Sequence, residues 1–224
     1  MRKLYKNSLI VSCQALADEP LHGSDIMARL AIAADNGGAK GIRANSPEDV
    51  RAIREVVDLP IIGLWKKEVP GFQVYITPTY KEVKEILAVG ADFVAIDCTD
   101  RKRPQALADI FTRIRTDYPD CGIVADIATV NDAKKVSKLK PDFISTTLSG
   151  YTKGTDDRPR PDLELVKDLK EISSIPILAE GNYKDGRQGA QAIKRGAYAV
   201  VIGGAITRPQ NITKKIREEI AQSL

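Results

Sequence analysis

The polar residues of this chain that could do chemistry stand at regular stations, each at the end of a short apolar run. Gln14 comes just after Leu9 to Ser12, Arg43 closes Gly41 to Arg43, and Lys66 and Lys67 follow Ile61 to Trp65. Asp97 follows Phe93 to Ile96, and Asp126 follows Gly122 to Ala125. Thr146, Thr147 and Ser149 come with Phe143 to Thr146, Glu180 and Gly181 follow Ile175 to Ala179, and Gly203 and Gly204 follow Ala199 to Ile202. A lysine and a carboxylate brought to opposite faces of one carbon can remove a proton from one side and return it on the other. Glycines just beyond a strand let backbone N–H groups approach an anion that a Cβ would hold off, which suits phosphate.

The elements that must position these groups are legible in the apolar periodicity. The eight short runs read as strands, and between them lie segments whose apolar residues recur every three or four positions. These predict helices at Ser24 to Asp35, Pro47 to Val57, Tyr80 to Val89, Pro104 to Thr116, Val130 to Lys138, Leu163 to Ile172, Gly186 to Arg195 and Ile212 to Ala221. Ser46 before Pro47, Thr79 before Tyr80 and Asp162 before Leu163 are helix-start signals. The phrases Asn36-Gly-Gly-Ala39, Val89-Gly-Ala-Asp92 and Arg195-Gly-Ala-Tyr198 predict helix ends at glycines of positive φ.

Eight βα units with no break in composition predict a single α/β domain over 1–224, a closed (β/α)8 barrel. The alternative, a doubly wound open sheet, should show a glycine-rich turn after its first strand, where this chain has Ser12-Cys-Gln-Ala15. In a ring of eight, strands three and seven are opposed, so Lys66 and Glu180 should approach a ligand from opposite sides. Strands one and five set Gln14 against Asp126 in the same way. This geometry suits an epimerase or isomerase.

Composition excludes several classes. The 34 basic and 30 acidic residues leave a net charge of +4, scattered along the chain, which argues against nucleic acid and favours an anionic substrate. Three separated cysteines and one histidine argue against a disulfide framework or a zinc site and fit a reducing cytoplasm. No apolar run is long enough to span a bilayer, and Leu9 to Cys13 is too short for a signal-peptide core. His22 and Cys13 read as loop and packing residues, Trp65 and Tyr75 as core or pocket wall, and Asp100-Arg-Lys-Arg-Pro104 as a solvated loop with a phosphate clamp as the alternative. Thr207 and Arg208, close behind Gly203 and Gly204, strengthen the phosphate reading.

The phrases Ser12-Cys-Gln-Ala-Leu16, Glu19-Pro-Leu-His22, Gly41-Ile-Arg-Ala44, Tyr75-Ile-Thr-Pro-Thr79, Ala125-Asp-Ile127, Ser145-Thr-Thr-Leu-Ser-Gly-Tyr-Thr152 and Val201-Ile-Gly-Gly-Ala-Ile-Thr-Arg-Pro209 resemble the bacterial N-acetylmannosamine-6-phosphate 2-epimerases. The likeness runs from about Leu9 to Ile216. It implies a TIM barrel of the ribulose-phosphate-binding type, acting without metal or organic cofactor, as a homodimer, in sialic acid breakdown. The implied reaction interconverts N-acetyl-D-mannosamine 6-phosphate and N-acetyl-D-glucosamine 6-phosphate at C2. Lys66, chosen over Lys67, and Glu180 match the acid and base. Gln14, Arg43, Asp126 and Thr147 fall at substrate-contacting positions, and Gly181, Gly203, Gly204 and Arg208 at the phosphate end. This chain departs from the family after Glu180, where Asn182 replaces the usual basic residue, so Lys184 or Arg187 is expected to stand in. Another sugar-phosphate barrel enzyme and a catalytically silent sugar-phosphate sensor are the remaining alternatives.

Overall fold

The computed structural model describes residues 2–224; Met1, the first residue of the expected domain, lies outside them. Eight parallel strands, β1 (Ser8–Cys13), β2 (Ile42–Asn45), β3 (Ile61–Leu64), β4 (Phe93–Asp97), β5 (Gly122–Asp126), β6 (Phe143–Ser145), β7 (Ile177–Ala179) and β8 (Ala199–Ile202), form a closed barrel in chain order, with β8 pairing back to β1. Helices α1 (Ser24–Asn36), α2 (Pro47–Arg54), α3 (Tyr80–Ala88), α4 (Leu107–Asp117), α5 (Val130–Ser137), α6 (Leu163–Ile172) and α7 (Gly186–Lys194) alternate with the strands. After β8 come a one-turn helix α8 (Gly204–Thr207) and a long α9 (Pro209–Gln222). No helix among the described residues is long and apolar enough to cross a membrane.

The local signals act as the sequence reading requires. Ser46, Thr79 and Asp162 cap their helices, and Thr79 with Glu82 forms a reciprocal capping box. Gly38, Gly90 and Gly196 end α1, α3 and α7 at φ of 90°, 97° and 106°. Three boundaries differ from expectation by three residues, the others by two at most. α2 stops at Arg54, because Val56 and Val57 both turn back onto the carbonyl of Ile53. α4 starts at Leu107 rather than Pro104, since the side chain of Gln105 accepts from the N–H of Tyr80 while its carbonyl accepts from Arg103. The last helix begins at Pro209, which suits the first helical turn because it has no N–H to leave unpaired.

Side chains alternate across each strand, and the two faces build two apolar layers. The outward set, including Val11, Ile42, Ile61, Val94, Ile123, Ile144, Ile177 and Val200, packs under the helices. The inward set, including Ile10, Ile62, Leu64, Phe93, Ala95, Val124, Phe143, Leu178 and Val201, fills the barrel. Its floor is an aromatic stack in which Phe143 meets Phe93 at 5.7 Å and Tyr198 at 5.4 Å, both edge to face. The Tyr198 hydroxyl donates to the carbonyl of Leu4 and ties the N-terminal segment across that end. With the floor closed by apolar groups, the polar residues at the C-terminal ends of the strands have only the opposite mouth to occupy.

Candidate active site

A cavity of about 780 Å³ opens at that mouth, lined among others by Gln14, Arg43, Lys66, Thr147, Glu180, Gly181, Gly203, Gly204 and Arg208. The inward parity of the strands continues into it: Ser12 and Gln14 extend the row of Ile10, Lys66 that of Ile62 and Leu64, and Glu180 that of Leu178. Lys66 and Glu180, from opposite sides of the ring, share this one space.

Lys66 is fixed through its backbone. Its N–H donates to the side-chain oxygen of Asn45 at 2.8 Å, and Ile76 pairs with it in an isolated antiparallel bridge as the segment after β3 folds back. Burial brings its ammonium down from 10.5 to about 8, and the positive charges of Arg43 and Arg208 push in the same direction against Glu180 and Asp126. A lysine so placed can be neutral, and basic, close to neutral pH. Lys67 points elsewhere: its ammonium lies 4.3 Å from the Trp65 ring centre and 3.8 Å from a Glu82 oxygen. The chain's own geometry thus separates the two lysines.

Glu180 sits in a network drawn from the ends of β2, β6 and β7. Its carboxylate is 3.2 Å from Nε of Arg43, at an angle outside a hydrogen bond, and accepts from Ser145 at 3.3 Å and Thr147 at 3.0 Å. The hydroxyl of Thr146 bridges to the backbone of Glu180, accepting from its N–H at 3.0 Å and donating to its carbonyl at 2.7 Å. Burial raises the Glu180 carboxyl, and the Asp126 charge adds to the rise, while Arg43, Thr147 and Lys66 oppose it. A carboxyl held up in this way can carry a proton as well as accept one.

Arg43 and Asp126 lie beneath this pair. Arg43 is 1% exposed and donates through two nitrogens to the two oxygens of Asp126, at 3.2 and 2.6 Å. Asp126 is 0% exposed and does not line the cavity. The closed ring sets β5 opposite β1 as expected, but Asp126 lies below the cavity wall that Gln14 lines: its two oxygens are taken up by Arg43, with Thr147 also donating at 2.8 Å. Thr147 lies within reach of both carboxylates, and with one hydrogen it can donate to one at a time. Gln14 donates to Ser12 at 2.9 Å, and its own oxygen is buried without a partner among the described residues. Asp97, also expected on the rim, is buried and held by Arg101 at 2.6 Å and by Thr99. The basic run after it is partly solvated, with Asp100 and Lys102 exposed, while Arg101 and Arg103 brace the end of β4 and none of the run lines the cavity.

At the other end of the cavity Gly181 has φ 116°, and a Cβ there would stand 3.5 Å from the carbonyl of Thr146. Gly203 passes so close to β1 that a Cβ would meet Ser12 at 3.2 Å. The N–H of Gly204, at the start of α8, has no carbonyl one turn earlier in its own helix to bond. Arg208 joins this end with its guanidinium gripped by Glu19.

A family model described as "NanE: Putative N-acetylmannosamine-6-phosphate epimerase" matches residues 27–222. The chain belongs to this epimerase family. A relative from Shouchella clausii, described as "Putative N-acetylmannosamine-6-phosphate 2-epimerase", is 47% identical over 97% of each chain. One from Oceanobacillus iheyensis under the same description is 49% identical over 94% of this chain and 96% of its own. The solved N-acetylmannosamine-6-phosphate 2-epimerase from Clostridium perfringens superposes with a TM-score of 0.92 at 44% identity, covering 96% of this chain and 94% of that one. The thiamine phosphate pyrophosphorylase of Pyrococcus furiosus, at 17% identity and a TM-score of 0.61, shares the fold.

Asn182 adopts φ 61°, a conformation asparagine tolerates, and lines the cavity together with Lys184. Arg187 is exposed, pairs with Asp185 at 3.5 Å and stays off the cavity wall, so of the two expected stand-ins only Lys184 is in place. Tyr75 is a wall residue, whereas His22 is an exposed loop residue and Cys13 a buried thiol. Ser12, Ser145, Tyr151 and Asn211 join the site without having been expected there. Strand parity carried a signal for Ser12 and Ser145; for Tyr151, on the long connection after β6, and Asn211, in the first turn of α9, no local signal exists.

Proposed function

We propose that this protein is an isomerase that interconverts N-acetyl-D-mannosamine 6-phosphate and N-acetyl-D-glucosamine 6-phosphate by moving a proton at C2. The observation that carries the reading is the convergence of Lys66 and Glu180 on one cavity from opposed strands, in a member of this epimerase family.

The C2 hydrogen becomes acidic when the ring opens and C1 is an aldehyde, because the carbanion delocalises as an enolate. One of the pair takes the proton and the other delivers one to the opposite face. Arg43 beside Glu180 offsets negative charge there, and Asp126 acts through Arg43. The unpartnered oxygen of Gln14 suits the N–H of the acetamido group. Gly181, Gly203, Gly204 and Arg208, with Lys184 in place of the missing cation, bind the phosphate, and that remote binding energy orients the reacting carbon.

The whole chain works as one barrel domain in the cytoplasm, and as a homodimer. An apolar groove lined by Leu9, Gly189, Ile193, Val200, Ile202 and Ile206 supports the dimer, as does the exposed row of Ile216 and Ile220 on α9, none of whose residues is buried. Sedimentation velocity that gives a monomer at micromolar concentration removes this part of the reading.

Proton NMR of N-acetylmannosamine 6-phosphate in deuterated water tests the activity. The glucosamine epimer should appear with deuterium at C2, and both Lys66→Ala and Glu180→Ala should abolish exchange and conversion. A wild type that neither exchanges nor converts this sugar refutes the assignment.

A further inference from the structure

Arg208 enters the cavity from near the end of the chain, yet a residue of the first βα connection holds its guanidinium. Nε and Nη2 of Arg208 donate to the two oxygens of Glu19, the second at 2.8 Å. Glu19 is itself fixed, accepting from the N–H of Leu16 at 2.7 Å and from the side chain of Gln210 at 3.2 Å. Both members are half-buried, and Glu19 does not line the cavity that Arg208 lines. The hydrogen bonds from Arg208 hold the Glu19 carboxyl below the usual carboxylate range, so the pair stays ionised at neutral pH.

The consequence lies in the nitrogen left over. A guanidinium offers two usable edges, and the bidentate grip of Glu19 consumes one of them. The remaining nitrogen, Nη1, is turned toward Gly204: a Cβ on that glycine would stand 3.5 Å from Nη1 and 3.7 Å from Nδ2 of Asn211. Two side-chain donors therefore converge beside the backbone that opens α8.

We propose that Glu19 is a positioning residue for the anionic end of the substrate: by gripping one edge of Arg208 it aims the other at the phosphate beside Gly204. A free arginine side chain has many rotamers to lose on binding, and the grip removes that loss in advance. The identity of the anion as the sugar 6-phosphate rests on the epimerase reading; the aiming of Arg208 does not.

The test compares wild type, Glu19→Gln, Arg208→Gln and the double variant. Glutamine keeps the size of Glu19 but offers one acceptor, so the bidentate grip is lost. Positioning predicts that Glu19→Gln raises KM for N-acetylmannosamine 6-phosphate about fivefold or more, with kcat within about twofold. It also predicts weaker binding of inorganic phosphate by calorimetry. In the Arg208→Gln background Glu19→Gln should change neither quantity, an outcome that a general loss of folding would not produce.

If Glu19 merely neutralises Arg208, Glu19→Gln will instead lower KM and tighten phosphate, and the proposal falls. It falls equally if Glu19→Gln leaves both unchanged, or weakens both by the same factor with and without Arg208. Phosphate binding is readable whether or not the sugar turns over. An inactive wild type therefore sinks the epimerase reading alone, and unchanged phosphate binding in Glu19→Gln sinks the positioning alone.

Discussion

The pH dependence of turnover follows from how two groups share one proton. Removing a proton from C2 and returning one requires that Lys66 and Glu180 together hold a single proton, on whichever of them acts as acid. With two protons there is no base, and with none there is no acid. Lys66 titrates at about 8, brought down chiefly by burial, so above that pH the pair loses its only proton. The value of kcat/KM should then fall by a factor approaching ten per pH unit, about fiftyfold between pH 8 and pH 10. An exposed lysine, at about 10.4, would keep the rate nearly flat over the same range. The two arrangements of the single proton interconvert without changing the total, so the alkaline limb must fall at the same pH in both directions of the reaction. The substrate phosphate titrates near pH 6 and affects only the acid side. Initial rates from each epimer between pH 6 and pH 10, with circular dichroism at the extremes to show that the fold persists, give the answer. A kcat/KM that is level through pH 10 refutes the shared-proton argument.

Stability should respond to the same residue with a definite sign. The folded value of about 8 lies below the unfolded 10.5, so between these the unfolded chain binds more protons and stability rises with pH; the charged ammonium costs the fold at most about 3 kcal/mol at neutral pH. Lys66→Met, similar in length and uncharged, should therefore raise the urea midpoint at pH 7 by an amount equivalent to about 1–3 kcal/mol while abolishing turnover, and a variant less stable than wild type at pH 7 contradicts the reading. On the outer face of β3, a Cβ on Gly63 would lie 2.5 Å from Ile86 and 2.9 Å from Ala91. Gly63→Ala should cost about 1–3 kcal/mol through overpacking, and an unchanged melting temperature would show that α3 can move aside.

Much of this architecture was legible because a barrel writes itself in short-range patterns. Every strand run and every βα helix appears within three residues of the expected place, since apolar periodicity, caps such as Thr79 and glycine stops such as Gly90 are all local. Strand parity also distinguishes Lys66 from Lys67, a choice the reading of the residues left to family resemblance. Counting in twos from Ile62 and Leu64 reaches Lys66, and from Leu178 it reaches Glu180. What a local pattern cannot show is which partner claims a charge once the ring closes. Asp97 and Asp126 occupy equivalent rim stations, yet Arg101 takes the first and Arg43 the second, and neither fronts the cavity. The grip of Glu19 on Arg208 joins residues 189 positions apart, beyond any window of sequence.

The buried charges below the mouth explain why the catalytic pair can be tuned at all. Glu180 and Asp126 share one cation, Arg43, so the three groups carry a net negative charge until Lys66 is counted. Deprotonating Lys66 leaves that charge uncompensated, which opposes its fall; burial and the neighbouring Arg43 and Arg208 outweigh this and bring it to about 8. If Arg43 were removed, two buried carboxylates would lose their cation, a loss that in buried pairs costs about 3–5 kcal/mol. Lys66 would then become the nearest counter-ion and be held charged, useless as a base. Arg43 therefore does more than hold Asp126: by satisfying both carboxylates it frees the lysine to give up its proton. The apolar floor of Phe93, Phe143 and Tyr198 completes the arrangement, because it leaves these charges no route to solvent except through the cavity in which the sugar must sit.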